Sequence, residues 1–210
     1  MATSAQHEPT AEGSAPRIVV LAGRNGAGKS TSAQRVLRGA LQVDEFVNAD
    51  VIARGLSQFD AASVAIEAGR VMLKRLRELA AKRATFAFET TLASRSFAHW
   101  IRELQVAGYK FHLVHLLLPS SDIAVARVQE RVRHGGHDIP ADVIRRRYVR
   151  GLSNMFELYL PLADSRKIVH NGNRRPCLIA SGERTDIKFV RDQATWQALL
   201  QDYPHEWSRR

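Results

Sequence analysis

Cysteine is nearly absent from this sequence: Cys177 is the one thiol in 210 residues. An internal disulfide framework is thereby excluded, and a lone thiol fits a reducing compartment, so the expectation is a cytoplasmic protein. No apolar run approaches the roughly 20 residues that span a bilayer. Residues 1–16 have no apolar core of the kind a signal peptide carries. Lysine is scarce as well: of 31 basic residues 25 are Arg and 6 are Lys, against 21 acids, for a net charge of +10. A composition of 45% hydrophobic and 25% charged residues is near the globular average and excludes wholesale disorder. A strongly basic balance suits a solvated surface or an anionic partner such as nucleic acid, a membrane or a phosphorylated ligand. The planar fork of Arg matches phosphate oxygens in two-point contact, so what matters is where the arginines lie.

Residues 1–16 are small and polar, with two acids and no Lys or Arg, and read as a disordered tail. The remainder, 17–210, reads as a single domain. Five short apolar runs (17–22, 46–49, 84–88, 109–118 and 166–170) alternate with helical stretches at 29–40, 61–81, 96–107, 122–134 and 141–159. That alternation indicates βαβ units, hence an α/β fold of three layers around a mainly parallel five-stranded sheet. Residues 177–181 and 187–190 read as a C-terminal β-hairpin. His112 and His115 fall on opposite faces of one strand and read as packed structural residues, not a metal pair. Sheets of this kind bind ligands at the carboxyl ends of their strands.

Immediately after the first strand, Gly23-Arg24-Asn25-Gly26-Ala27-Gly28-Lys29-Ser30, followed by Thr31, matches G-x-x-x-x-G-K-[ST]. Glycines let consecutive backbone N–H groups converge on phosphate oxygens, and the following helix adds its partial positive end. Lys29 suits the β- and γ-phosphates and the Ser30 hydroxyl suits Mg²⁺. The domain is therefore expected to be a P-loop NTPase. A motor-type ATPase is disfavoured, because the apolar strand at 109–118 runs into Pro-Ser-Ser where a pair of acids would be needed.

Two carboxylates follow strands. Asp50 is either a base for an attacking hydroxyl or the N-cap of a short helix beginning near Val51. Glu89 either meets an acceptor hydroxyl or a metal-bound water, or caps backbone amides. Between Arg127 and Arg150 lie seven arginines and three acids, Glu130, Asp138 and Asp142. Helical spacing puts Val125, Val128 and Val132 on one face, with Arg127 and Arg131 opposite and Arg133 flanking. On the next helix Ile144, Tyr148, Leu152, Met155 and Tyr159 make the core stripe, with Arg146, Arg150 and Asn154 on the far side and Arg147 flanking. Arginines thus bracket a glycine-containing loop, which also holds His134 and His137, as in a lid over transferring phosphates (about 122–159).

The set GRNGAGKST, FVNAD (46–50), FAFETTL (86–92), RVQERVRHGGHDIP (127–140) and IRRRY (144–148) resembles the zeta-toxin-like P-loop kinases, over about residues 17–180. The resemblance implies a nucleoside-monophosphate-kinase-like core and an ATP- and Mg²⁺-dependent kinase acting on a nucleotide sugar such as UDP-N-acetylglucosamine. It implies Lys29 and Ser30 on ATP and Mg²⁺, Asp50 as acceptor base, Glu89 and Thr90 in the substrate cleft, and Arg131, Arg133 and Arg147 on ATP phosphates. It also brings in a protein antitoxin as a partner. One alternative, a nucleic-acid-binding or polynucleotide-phosphorylating P-loop protein, is disfavoured, since Tyr148 alone interrupts the arginines where a stacking platform needs several aromatics. The other alternative is an ATP-switch interaction protein with slow hydrolysis.

Overall fold

The computed structural model describes residues 15–57, 63–134, 136, 138–172, 176–184 and 186–203; residues 1–14 of the expected tail and His137 of the lid loop lie outside them. In chain order the elements are β1 (Arg17–Gly23), α1 (Lys29–Ala33, continued by π-helical turns over Gln34–Ala40), β2 (Glu45–Val47), α2 (Ala49–Leu56), α3 (Ala65–Ala81) and β3 (Phe86–Thr90). There follow α4 (Ser96–Val106), β4 (Lys110–Leu117), α5 (Ser121–Arg133) and α6 (Ala141–Asn154). The last of these runs through a π-helical turn, Met155–Tyr159, into α7 (Leu160–Leu162). The chain then forms β5 (Ser165–His170), β6 (Cys177–Glu183), β7 (Asp186–Val190) and α8 (Gln193–Asp202).

Among the described residues seven strands form one sheet in the order β2-β3-β1-β4-β5-β6-β7. The five expected parallel strands are present, with β1 at the centre. The C-terminal hairpin is not an appendage: β6 pairs antiparallel with β5, and β7 with β6, so it widens the same sheet. Sequence periodicity identifies a hairpin but carries no information about which edge it joins.

The central strand shows why three layers form. Ile18, Val20 and Ala22 enter one core with Met72, Leu76, Ile101, Phe156 and Trp196. Val19 and Leu21 enter the other with Ala33, Leu37, Ala124 and Val128. Such a strand is apolar at every position because both faces are covered. His112 and His115 do fall on opposite faces: His112 bonds Ser165 at 2.6 Å, and His115 is 1% exposed. No helix among the described residues is long and apolar enough to cross a membrane.

The end of α6 fixes the loop that follows β3. Asn154 Nδ2 donates to the Leu92 carbonyl at 2.7 Å, and the Tyr159 hydroxyl donates to the Ser94 carbonyl at 2.7 Å. Asn154, expected on the outer face, is therefore buried: the Leu92 carbonyl needs a donor, and the amide supplies it. Gly151 lies against the same loop, where a Cβ would approach the Thr91 carbonyl oxygen to 2.5 Å. Gly151→Ala should accordingly cost about 1–3 kcal/mol by overpacking, read as a lowered urea midpoint with unchanged slope.

Candidate active site

Parallel register brings the ends of β1, β2 and β3 to one edge, where Leu21 pairs with Glu89 and Val47 with Phe88. The P-loop turns there. Gly26 and Gly28 have φ of +77° and +75°, a left-handed conformation that favours glycine. A Cβ on Gly28 would also sit 2.7 Å from Asn171 Nδ2. That same nitrogen donates to the Ala27 carbonyl at 2.7 Å, tying the P-loop to the loop after β5.

Lys29 is buried under the loop. Its Nζ donates to the Arg24 carbonyl at 2.9 Å and lies 3.4 Å from Glu89 Oε1. Burial pulls its ammonium below the usual lysine range, opposed by the nearby Glu89 and Asp50 charges. The other Glu89 oxygen accepts from Ser30 Oγ at 3.0 Å and from Asn48 Nδ2 at 2.8 Å. Asn48 takes the capping role that Asp50 was a candidate for. Its Oδ1 accepts from the backbone N–H groups of Asp50 and Val51, so Asn48 is the N-cap of α2 and the Asp50 carboxylate has no capping task.

Two clefts meet over these groups. The smaller, of about 330 Å³, is lined by Asn25, Gly26, Ala27, Gly28, Lys29, Ser30 and Thr31 of the P-loop, with Asp50, Glu89, Arg127 and Arg131. The larger, of about 640 Å³, shares Asn25, Lys29, Asp50 and Glu89 with it. It continues past Asn48 and Thr90 to Ser94, Asp138, Ile139, Val143 and Arg147. The Thr90 hydroxyl is used locally, accepting from Leu92 N at 3.1 Å.

Three arginines lie outside the lining of the P-loop cleft. Arg24 contributes its carbonyl to the cradle, but its side chain is 2% exposed and stacks on Tyr148, its guanidinium carbon 3.0 Å from the ring centroid. Burial lowers it to about 10, which leaves it charged at neutral pH. Arg133 points outward, paired with Glu130 at 2.9 Å and lining neither cleft. Arg147 lines the larger cleft, away from the P-loop arginines. Arg127, Asn48 and Asn171 were not expected at the site. Arg127 donates to the carbonyls of Gly26, Asn171 and Gly172. Its spacing four residues before Arg131, on the same helix face, is the sequence signal that points to it.

The family model AAA_33, described as an AAA domain, matches residues 18–153, which hold the P-loop, both carboxylates and the lid arginines. The chain belongs to this family. An uncharacterized protein of Haemophilus influenzae is 27% identical over 132 residues, covering 63% of this chain and 92% of its own length. A chain of the AvrRxo1-ORF1:AvrRxo1-ORF2 complex with sulphate ions superposes with a TM-score of 0.70 at 17% identity, and the complex solved with ATP matches equally. These cover 90% of this chain, which spans 64% of theirs. The PezAT chromosomal toxin-antitoxin system of Streptococcus pneumoniae gives a TM-score of 0.60 at 15% identity, covering 92% of this chain and 80% of its own. At such identities the likeness is one of fold, that of a P-loop kinase-like α/β domain.

Within this AAA_33 domain a second buried group, His115 of β4, is paired in register with Ala22 at the end of β1. Burial, reinforced by Arg24 and Lys29, pushes His115 from 6.5 down to about 3. The folded protein thus keeps the ring neutral where the unfolded chain takes up a proton. Stability should fall as pH drops from about 6.5 towards 3, by up to ~1.4 kcal/mol per pH unit from this residue. Urea unfolding at pH 7.5 and 5 should show that component shrinking in His115→Asn. Asn48→Ala should lose about 0.5–2 kcal/mol from the cap of α2, measured as the shift of its urea midpoint.

Proposed function

We propose that this protein is an ATP- and Mg²⁺-dependent phosphotransferase that moves the γ-phosphate of ATP to a hydroxyl of a nucleotide sugar, UDP-N-acetylglucosamine or a related UDP-sugar. The supporting observation is that two clefts, one floored by the P-loop and one lined by side chains of the lid, meet at Lys29, Asp50 and Glu89. A donor and an acceptor bound one in each would face one another across Asp50.

In this reaction the loop amides, Lys29 and Arg131 hold the triphosphate, supplying fixed positive charge where the transferring group redistributes its own, while Arg127 holds the loop in place through its backbone carbonyls. The acceptor hydroxyl gives its proton to the Asp50 carboxylate as its oxygen bonds to the γ-phosphorus. The bond from that phosphorus to the β–γ bridging oxygen breaks, and ADP leaves with the electron pair. Asp50 is exposed to the cleft and free of the cap, which leaves its oxygens available for that proton. For Mg²⁺, the Ser30 hydroxyl and the Glu89 carboxylate are hard oxygen donors 3.0 Å apart and fit the ion. Among the described residues no group of three or more His, Cys, Asp or Glu converges on one point. A metal there would take most of its ligands from phosphate and water, and would neutralise charge between the β- and γ-phosphates.

A protein partner in the manner of an antitoxin belongs to the same proposal, supported by fold likeness to complexes with ORF2 and to the PezAT system. A general affinity for nucleic acid has less support, because most of the lid arginines are already committed to acids or backbone carbonyls.

With labelled ATP, Mg²⁺ and UDP-N-acetylglucosamine the protein should yield ADP and a phosphorylated sugar nucleotide. Asp50→Asn should lower the transfer rate about 10²- to 10⁴-fold with the KM for ATP little changed. Equal product from the variant would remove Asp50 from the role of base.

A further inference from the structure

Helix α6 carries three consecutive arginines whose side chains fan out around its axis. Arg145 reaches Asp122 on α5 at 2.9 Å, and Arg146 reaches Asp142 one turn back at 3.9 Å. Arg147 has no ion pair among the described residues, and it is the one of the three that lines the larger cleft. It takes no part in the phosphate cleft, whose cations are Lys29, Arg127 and Arg131.

The wall around Arg147 is short of alternatives. Ile139, Pro140, Val143, Ala65 and Ala93 are apolar. Asp138 accepts from the adjacent Ile139 N–H at 2.7 Å and makes no pair with Arg147. Lys29, the other cation on this wall, is held at the reacting end by Glu89 and the Arg24 carbonyl. An uncommitted guanidinium beside apolar surface is a two-point anchor for a carboxylate or phosphate.

We propose that Arg147 binds an anionic group of the phosphoryl acceptor, not the phosphates of ATP, so that the larger cleft selects hydroxyl compounds carrying an anion. This assignment rests on the phosphotransferase reading and gives it a substrate class. The diphosphate of a nucleotide sugar meets the requirement, and so does the carboxylate of a sugar acid. A neutral sugar does not.

The test uses the full chain with Mg²⁺ and ATP and two matched acceptor pairs: UDP-N-acetylglucosamine against N-acetylglucosamine, and an aldonic acid against its neutral aldose. Wild type should prefer the anionic member of at least one pair by tenfold or more in kcat/KM. Arg147→Gln should raise the KM for that acceptor by about 10- to 100-fold, the scale of one lost charge-assisted contact, while the KM for ATP stays within about twofold. Arg147→Lys should recover part of the loss, because the charge is restored without the fork. Equal use of neutral and anionic acceptors, or a loss in Arg147→Gln that falls on ATP, overturns the assignment and leaves the kinase reading standing. No transfer to any of the four compounds by a wild-type protein that binds ATP overturns the kinase reading, and the assignment with it.

Discussion

One buried ion pair organises the site. Lys29 and Glu89 come from different strand ends, and their side chains are 7% and 10% exposed. Neither charge is stable in that setting alone: removing one partner of a buried pair typically costs about 3–5 kcal/mol. The pair therefore fixes the distance between the P-loop and the end of β3, and Ser30 and Asn48 complete it by donating to the second Glu89 oxygen. Through its cap, Asn48 passes that constraint to α2 and so to the backbone of Asp50. Five residues from three segments form one network around a single carboxylate. In the proposed reaction a phosphate offers Lys29 a second anion, and the cation is already desolvated and aimed before it arrives.

Placing the arginines redefines the net charge of +10. Between Arg127 and Arg150 the basic residues do not make one uniform face. Arg133, Arg145 and Arg146 spend their charge on Glu130, Asp122 and Asp142, exposed pairs of the kind that contribute little to stability. Arg127 is spent on three backbone carbonyls. Arg131 lines the cleft over the P-loop and Arg147 lines the larger one. A stretch that looks in sequence like an affinity for polyanions resolves into ion pairs, a guanidinium bonded to backbone carbonyls, and arginines that line two different clefts.

The parts legible in the sequence are those whose signal is contiguous. The P-loop is one local motif that demands its own glycines, and β1 announces itself because both of its faces are buried. Asp50 and Glu89 were legible as acids at strand ends, where a parallel sheet gathers its ligand-binding loops. What escaped depends on contacts between distant segments. Helical spacing puts Arg127 and Arg131 on one face, but only the docking of α5 shows that this face meets the P-loop. Asn48 and Asp50 both suit an N-cap, and the choice turned on Glu89 drawing the Asn48 amide inward. Asn154 follows outward spacing, yet at the last residue of α6 the Leu92 carbonyl claims it. For Arg24, the P-loop motif constrains the backbone and leaves the side chain free to lie under Tyr148.

The two lid helices are both anchored at the P-loop. On α5, Arg127 grips the Gly26 carbonyl and the loop after β5; on α6, Tyr148 covers the Arg24 guanidinium and donates to the Leu118 carbonyl. Neither contact involves the larger cleft. In the proposed reaction, substitutions that change acceptor choice can therefore accumulate at the exposed cleft residues Asp138, Pro140 and Arg147, whereas Ile139 and Val143 belong to the core that packs on the P-loop Ala27. A P-loop kinase-like fold can in this way hold its donor side constant while the segment joining its lid helices adapts to a different hydroxyl compound.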